Sequence, residues 1–150
     1  MVALVYGVLL VTYSINAFAT VKDHAARDEI RRVFDAYVED FVAKDIDGIA
    51  NHFSQPVLFG VDEPQVAQDR NGVKAAFADI FANIQTGYAY STVESFQLDS
   101  INQRLYNVQI SYNRYNNKGE IIHSGESVYF FKPAEDSWRI YHMAILDEEG

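Results

Sequence analysis

Four side chains in this sequence have both the chemistry and the setting to act on a small molecule: Tyr37, Asp62, Glu126 and His142. Tyr37 sits in an apolar stretch, where a phenol can donate to a ligand oxygen; it equally suits a core tyrosine whose hydroxyl is satisfied at a rim. Asp62 and Glu63 precede Pro64. Such carboxylates can serve as a base at a pocket mouth, because burial raises a carboxylate pKa, or lie in a solvated loop. His142 alternates with Trp138, Ile140 and Ala144. Its imidazole can act as acid, base or donor near neutral pH, or bond a neighbouring strand as a structural group. Glu126 shares a strand face with Val128 and Phe130, so it needs a partner, a ligand or water. Arg139, His142 and Tyr106 are the candidate partners. His52, after a short helix, can reach toward a pocket or complement a helix dipole.

Other chemistries find no pattern to support them. His24, His52, His123 and His142 are scattered, and no pair has metal-ligand spacing. No glycine-rich phosphate loop is present, and Ser124 in HSGES is not in a G-x-S-x-G elbow. No metal and no cofactor are expected. The absence of cysteine excludes disulfides and thiolate metal sites. A net charge of −9, with no basic run longer than Arg31-Arg32, argues against nucleic acid as a partner.

These residues are positioned by a simple order of elements. Ile30, Val33, Phe34, Tyr37, Val38, Phe41 and Val42 recur at helical steps and predict a helix over Asp23–Ala43. The chain breaks at Lys44-Asp45, and Asp45 can cap a short helix, Ile46–Phe53. Pro56 ends helical structure, and Val57–Phe59 reads as a strand. Gly60–Arg70 reads as a loop or irregular strand. Asn71 can cap a third helix carrying Val73, Phe77, Ile80, Phe81 and Ile84, with Gly87 as its stop. Period-two alternation then predicts strands over Tyr88–Leu98, Leu105–Tyr115, Ile121–Lys132 and Trp138–Leu146, with a hairpin turn at Asn116–Gly119. The class is α+β, a single domain, with helices packed in a curved and mostly antiparallel sheet.

Residues 1–19 read as a separate unit. An apolar run is followed by Ala17-Phe18-Ala19, which fits the small-residue cleavage pattern of a secretory signal and predicts a mature domain over residues 20–150. No Lys or Arg precedes the run, so an uncleaved anchor or an ordinary buried segment are the competing readings. Export implies a secreted or periplasmic protein with no membrane contact once the leader is removed. Val128–Phe131 and Ile140–Leu146 are apolar on both faces. A sheet with one wet face alternates more cleanly, so a homodimer through the sheet face is expected.

Three segments carry a family resemblance: YVEDFVAKDIDGIANHF at 37–53, NGVKAAFADIF at 71–81 and GESVYFFKPAEDSWRIYH at 125–142. In order and spacing the chain resembles the nuclear transport factor 2-like (NTF2-like) superfamily, and within it the SnoaL-like proteins. The resemblance implies a cone-shaped α+β barrel, a cystatin-like roll, with a pocket between the first helix and the concave sheet. It implies a small, partly apolar ligand, bound among Tyr37, Phe41, Phe59, Tyr106, Glu126 and His142. In the ketosteroid isomerase branch a helix-one tyrosine builds an oxyanion hole, and Tyr37 matches its place. That branch's aspartate base falls at Gly60 or Val61 here, with Asp62 just beyond, so its chemistry is not carried over intact. The alternatives are an isomerase, cyclase or dehydratase using Tyr37 with Asp62, Glu126 or His142, or a dimeric assembly domain without catalysis.

Overall fold

We describe a computed structural model of the chain, covering the backbone of residues 2–146 and the side chains from Ala19 onward. The first helix, α1, runs Val2–Ala43, so helical backbone begins well before Asp23. The side chains of the expected leader, apart from Ala19, lie outside the described residues. From Ala19 onward no helix is long and apolar enough to cross a membrane.

The stripe seen in the sequence is the buried face of α1. Ile30, Val33, Phe34 and Tyr37 are buried, and Val38 and Phe41 pack half-buried beside them. Its wet face is laced by the local ion pairs Arg31–Asp35 and Arg32–Glu29. The helix ends in a Schellman motif: Lys44 takes a positive φ of 56°, its N–H donates to the Phe41 carbonyl, and Asp45 N–H donates to Asp40. The Asp45 carboxylate then accepts from Gly48 N at 3.0 Å and caps α2, Ile46–Ala50. This helix is shorter than expected because Phe53 already opens strand β1, Phe53–Phe59. Pro56 therefore lies inside the strand, following a cis Gln55–Pro56 bond.

After β1 the polar segment contains a short strand, β2 (Gln65–Ala67), antiparallel to β1. Helix α3, Arg70–Asn83, is capped by Asp69 rather than Asn71: the extended Asp69 accepts from Gly72 N at 2.9 Å. Arg70 is already helical, and its guanidinium holds Asn51 and the Asp47 carbonyl at the end of α2. The helix ends at Asn83 with Ile84 as its cap, and Gly87 forms the turn beyond it. Strands β3 (Tyr90–Asn102), β4 (Leu105–Tyr115), β5 (Ile121–Pro133) and β6 (Trp138–Ile145) form the expected meander. Gly119, at φ 77°, closes the β4–β5 turn by donating to the Asn116 carbonyl.

The strands lie in the order β2-β1-β6-β5-β4-β3, as an open sheet with β2 and β3 at its edges. All neighbours are antiparallel except β1 and β6. The architecture is thus the α+β roll anticipated from sequence. One face of the sheet, with Val108, Tyr112, Tyr129, Phe131 and Ile140, closes on α1 and α3 to make the core.

Register decides which residues share that face. In β6, Ile140 pairs with Phe131 and His142 with Phe130, so Tyr141 is an extra residue in the ladder. This bulge reverses the alternation after Ile140. Ile140 and Met143 enter the core, and His142 turns to the outer face. The single face expected for Trp138, Ile140, His142 and Ala144 is therefore split at Tyr141.

Candidate functional site

Between α1 and the inner sheet face lies a cavity of about 50 Å³. Tyr37, Val38 and Phe41 come from α1, Ile80 from α3, and Ser91 and Val93 from β3. Ile110, Tyr112 and Arg114 come from β4, Ser127 and Tyr129 from β5, and Met143 and Ile145 from β6. One water needs about 10–15 Å³ of such space, so the interior suits a small headgroup rather than a multi-ring body. A larger hollow of about 450 Å³ adjoins it, sharing Ile80, Met143 and Ile145 and adding Phe59, Gly60, Glu63, Gln65, Ala76 and Asp79. Both are lined mainly by apolar side chains with a few polar groups, the usual build of a ligand site.

The polar end has a defined arrangement. Tyr37 is buried, its hydroxyl donates to the Met143 sulfur at 3.7 Å, and its ring meets Tyr129 at 5.5 Å. Burial pushes the Tyr37 phenol well above its ordinary pKa, and the neighbouring Tyr129 adds to the rise. Burial raises Tyr129 as well, while the nearby Tyr37 and Ser127 hydroxyls and the Arg114 charge work against it. Both phenols therefore stay protonated and able to donate. Arg114 is 8% exposed, with its guanidinium carbon 5.0 Å from the Tyr112 ring centre. One of its terminal nitrogens donates to Gln85 Oε1 at 2.6 Å. Behind Tyr112, His123 brings its Nε2 to 3.5 Å from the Tyr112 hydroxyl.

The cavity gathers some of the sequence-derived candidates and separates others. Tyr37 and Phe41 line it. Phe59 lines only the outer hollow, packed on Phe53 and Phe77. Tyr106 is buried elsewhere: its hydroxyl donates to Asp23 at 2.7 Å and its ring meets Trp138 edge-on. Glu126 does not reach the cavity. It lies opposite Ser111 on the outer face, in a polar hollow with Ser95, Gln97 and Gln109. His142 is on the outer face too, stacked on Phe130 at 5.2 Å, with Nε2 2.7 Å from the Gly60 carbonyl. Asp62 is exposed in the bend after Gly60. His52 pairs with Asp40 at 2.7 Å and ties α1 to the start of β1.

Sequence reasoning missed Arg114, Tyr112, Tyr129 and Ser127. The signal was present in β4, where Tyr106, Val108, Ile110, Tyr112 and Arg114 share one parity and place an arginine at the end of an apolar stripe.

The arrangement can bind and polarise a ligand oxygen through tyrosine hydroxyls and a guanidinium. Among the described residues its lining holds no carboxylate and no imidazole.

Known proteins show the same architecture. An NTF2-like protein with a cystatin-like fold from Novosphingobium aromaticivorans aligns with a TM-score of 0.69 at 15% identity, covering 91% of this chain and 92% of that one. A domain of unknown function with a cystatin-like fold from Nostoc punctiforme gives 0.66 at 15% identity, covering 84% and 79%. A candidate scytalone dehydratase from Novosphingobium aromaticivorans gives 0.63 at 13% identity, covering 84% and 86%. At these identities the likeness is one of fold. None of the curated proteins matches the sequence. The family model described as NTF2-like protein (DUF6841) matches residues 28–148, which takes in the C-terminal part of α1, the whole of α2 and α3 and every strand of the sheet. This chain therefore belongs to that NTF2-like family.

Proposed function

We propose that this chain is an exported NTF2-like domain of the SnoaL-like kind that binds a small, partly apolar ligand in its cone. The supporting observation is the cavity with its adjoining hollow: tyrosine hydroxyls and a guanidinium line the smaller space, and apolar side chains with Glu63, Gln65 and Asp79 line the larger one. Protonated phenols on rigid elements give such a ligand a fixed orientation. The test is ligand-observed NMR with neutral fragments, cyclohexanone and benzyl alcohol, on the wild type and on Val93→Phe, which narrows the cavity. Binding that the variant loses without losing its fold supports the reading. Equal binding to both, or no binding of these fragments and none of the acids and amides tested below, refutes it.

An isomerase, cyclase or dehydratase built from Tyr37 with Asp62, Glu126 or His142 gains no support from their placement. Tyr37 faces the cavity, while the other three lie in an exposed bend or on the opposite sheet face.

Self-association through the outer sheet face is a second reading. Phe130 stacks on His142 and meets Tyr141 at 6.2 Å, forming a ring cluster on the face turned away from the helices. Phe130→Asp is expected to convert a dimer to monomer in sedimentation velocity; a wild type that sediments only as monomer refutes this reading.

A further inference from the structure

We propose that the ligand carries a carboxylate, and that Arg114 is the group that receives it at the inner end of the cavity. The inference rests on the ligand-binding reading above and names the chemical class of the ligand.

Arg114 is more than nine-tenths buried and lines the cavity. Among the described residues its Nε is the one buried side-chain nitrogen or oxygen without a hydrogen-bond partner. Its partners are a neutral amide, Gln85, and the face of Tyr112. Among the described residues it forms no ion pair, whereas Arg27, Arg31, Arg32, Arg70 and Arg139 each hold a carboxylate. A buried guanidinium with a free donor and no counter-charge among the described residues is a costly arrangement for structure alone. It is the standard receptor for a planar anion, because its fork of N–H groups matches the two oxygens of a carboxylate.

The surroundings fix the orientation. Tyr37 and Tyr129 share the cavity lining with Arg114 and place their phenol groups beside the same headgroup. At the other end, Glu63 and Asp79 line the outer hollow, and their charges repel an anion. A bound carboxylate therefore rests at the Arg114 end, away from these acids, with its apolar body against Ile80, Met143 and Ile145, which border both spaces. The inner volume of about 50 Å³ accommodates the headgroup, and the larger hollow accommodates a compact body. The ligand class is a small monocarboxylic acid with an apolar ring or branched chain.

The experiment compares acids with their uncharged counterparts: benzoate against benzamide, and cyclohexanecarboxylate against its amide. Calorimetry is run on the full chain, on Arg114→Gln and on Arg114→Lys. Acids are expected to bind the wild type about tenfold to a hundredfold more tightly than amides, the range for a charge-assisted bond. In Arg114→Gln the ratio of acid to amide affinity is expected to fall to about one, whatever the absolute affinities, and Arg114→Lys keeps part of the preference. The Arg114 Nε–H resonance, assigned by its loss in Arg114→Lys, is expected to shift with benzoate and not with benzamide. Acids and amides binding alike, or an undiminished preference in Arg114→Gln, overturns the carboxylate inference and leaves the pocket reading standing. If neither acids nor amides bind, both fall. Should Arg114→Gln fail to fold, the wild-type acid–amide contrast and the Nε–H shift decide the matter.

Discussion

The Tyr37 hydroxyl donates to the Sδ of Met143 at 3.7 Å, joining the middle of the long helix to the last strand across the cone. The contact exists because the Tyr141 bulge turns Met143 inward. A bond to a thioether is weak, whereas the Tyr37 ring packs on Phe34, Phe41, Phe53, Phe77 and Tyr129. Tyr37→Phe is expected to lower stability by about 1 kcal/mol or less, since it removes only the hydroxyl. Tyr37→Ala is expected to cost about 3–5 kcal/mol through the void it leaves. Urea unfolding of both variants measures the difference; equal losses would show that the ring is not the structural part of this residue.

Alkaline pH should expose the buried phenols as a separate class. Tyr37 and Tyr129 have pKa values raised above the ordinary 10.0, chiefly by burial. A raised folded-state pKa means that their contribution is intact below pH 10 and is lost as pH climbs toward the folded values. Absorbance titration at the phenolate band should show late-ionising tyrosines that titrate together with unfolding. Tyr37→Phe should reduce that late amplitude, and a single early step for every tyrosine would contradict the burial.

Acid has the opposite sign. Glu29 is held by Arg32 and accepts from the Ser137 hydroxyl at 2.7 Å, which together push its carboxyl down to about 2 from 4.5. Its contribution is therefore present above pH 4.5 and is lost as pH falls toward 2. Asp23, lowered by its bonds from Arg27 and Tyr106, acts in the same direction. Thermal melts between neutral pH and the acid limit should show stability declining through this window. Glu29→Gln should flatten the decline, and an unchanged acid limb would remove Glu29 as its cause.

Gly48 should resist substitution although it lies in a helix. A Cβ there would sit 2.6 Å from Asp45 Oδ2 and 2.8 Å from Asp40 Cγ. Neither carboxylate can move freely, because Asp45 caps α2 through Gly48 N and Asp40 is bonded to His52. The gain in helix propensity from Gly48→Ala, about 1 kcal/mol, should be outweighed by the broken cap or the broken Asp40–His52 bond, for a net loss of about 1 kcal/mol or more. Denaturation midpoints measure this, and a stabilised variant would contradict the close packing at the helix break.

Much of the architecture was legible in local pattern. The α1 stripe, the break at Lys44 and the Asp45 cap all depend on neighbours within a few positions. So do the meander and its turn at Gly119. Helix ends were less legible, since Asp69 and Asn71 are both able to cap and only the path of the chain selects between them.

Local pattern set the order of elements, the α+β roll and the place of Tyr37 on the apolar stripe of the first helix. Propensity, capping and periodicity are short-range properties, so a linear pattern carries them. Tertiary structure alone decided which side of the sheet each strand residue serves. One extra residue at Tyr141 sent His142 outward to Gly60 and Phe130 and brought Met143 to Tyr37. The same long-range packing left Arg114 inside the cavity with an unfilled donor. A side chain's type states what it can bind, but its partner is fixed by residues far along the chain, and here that moved the candidate site from Glu126 and His142 to Arg114 and its tyrosines.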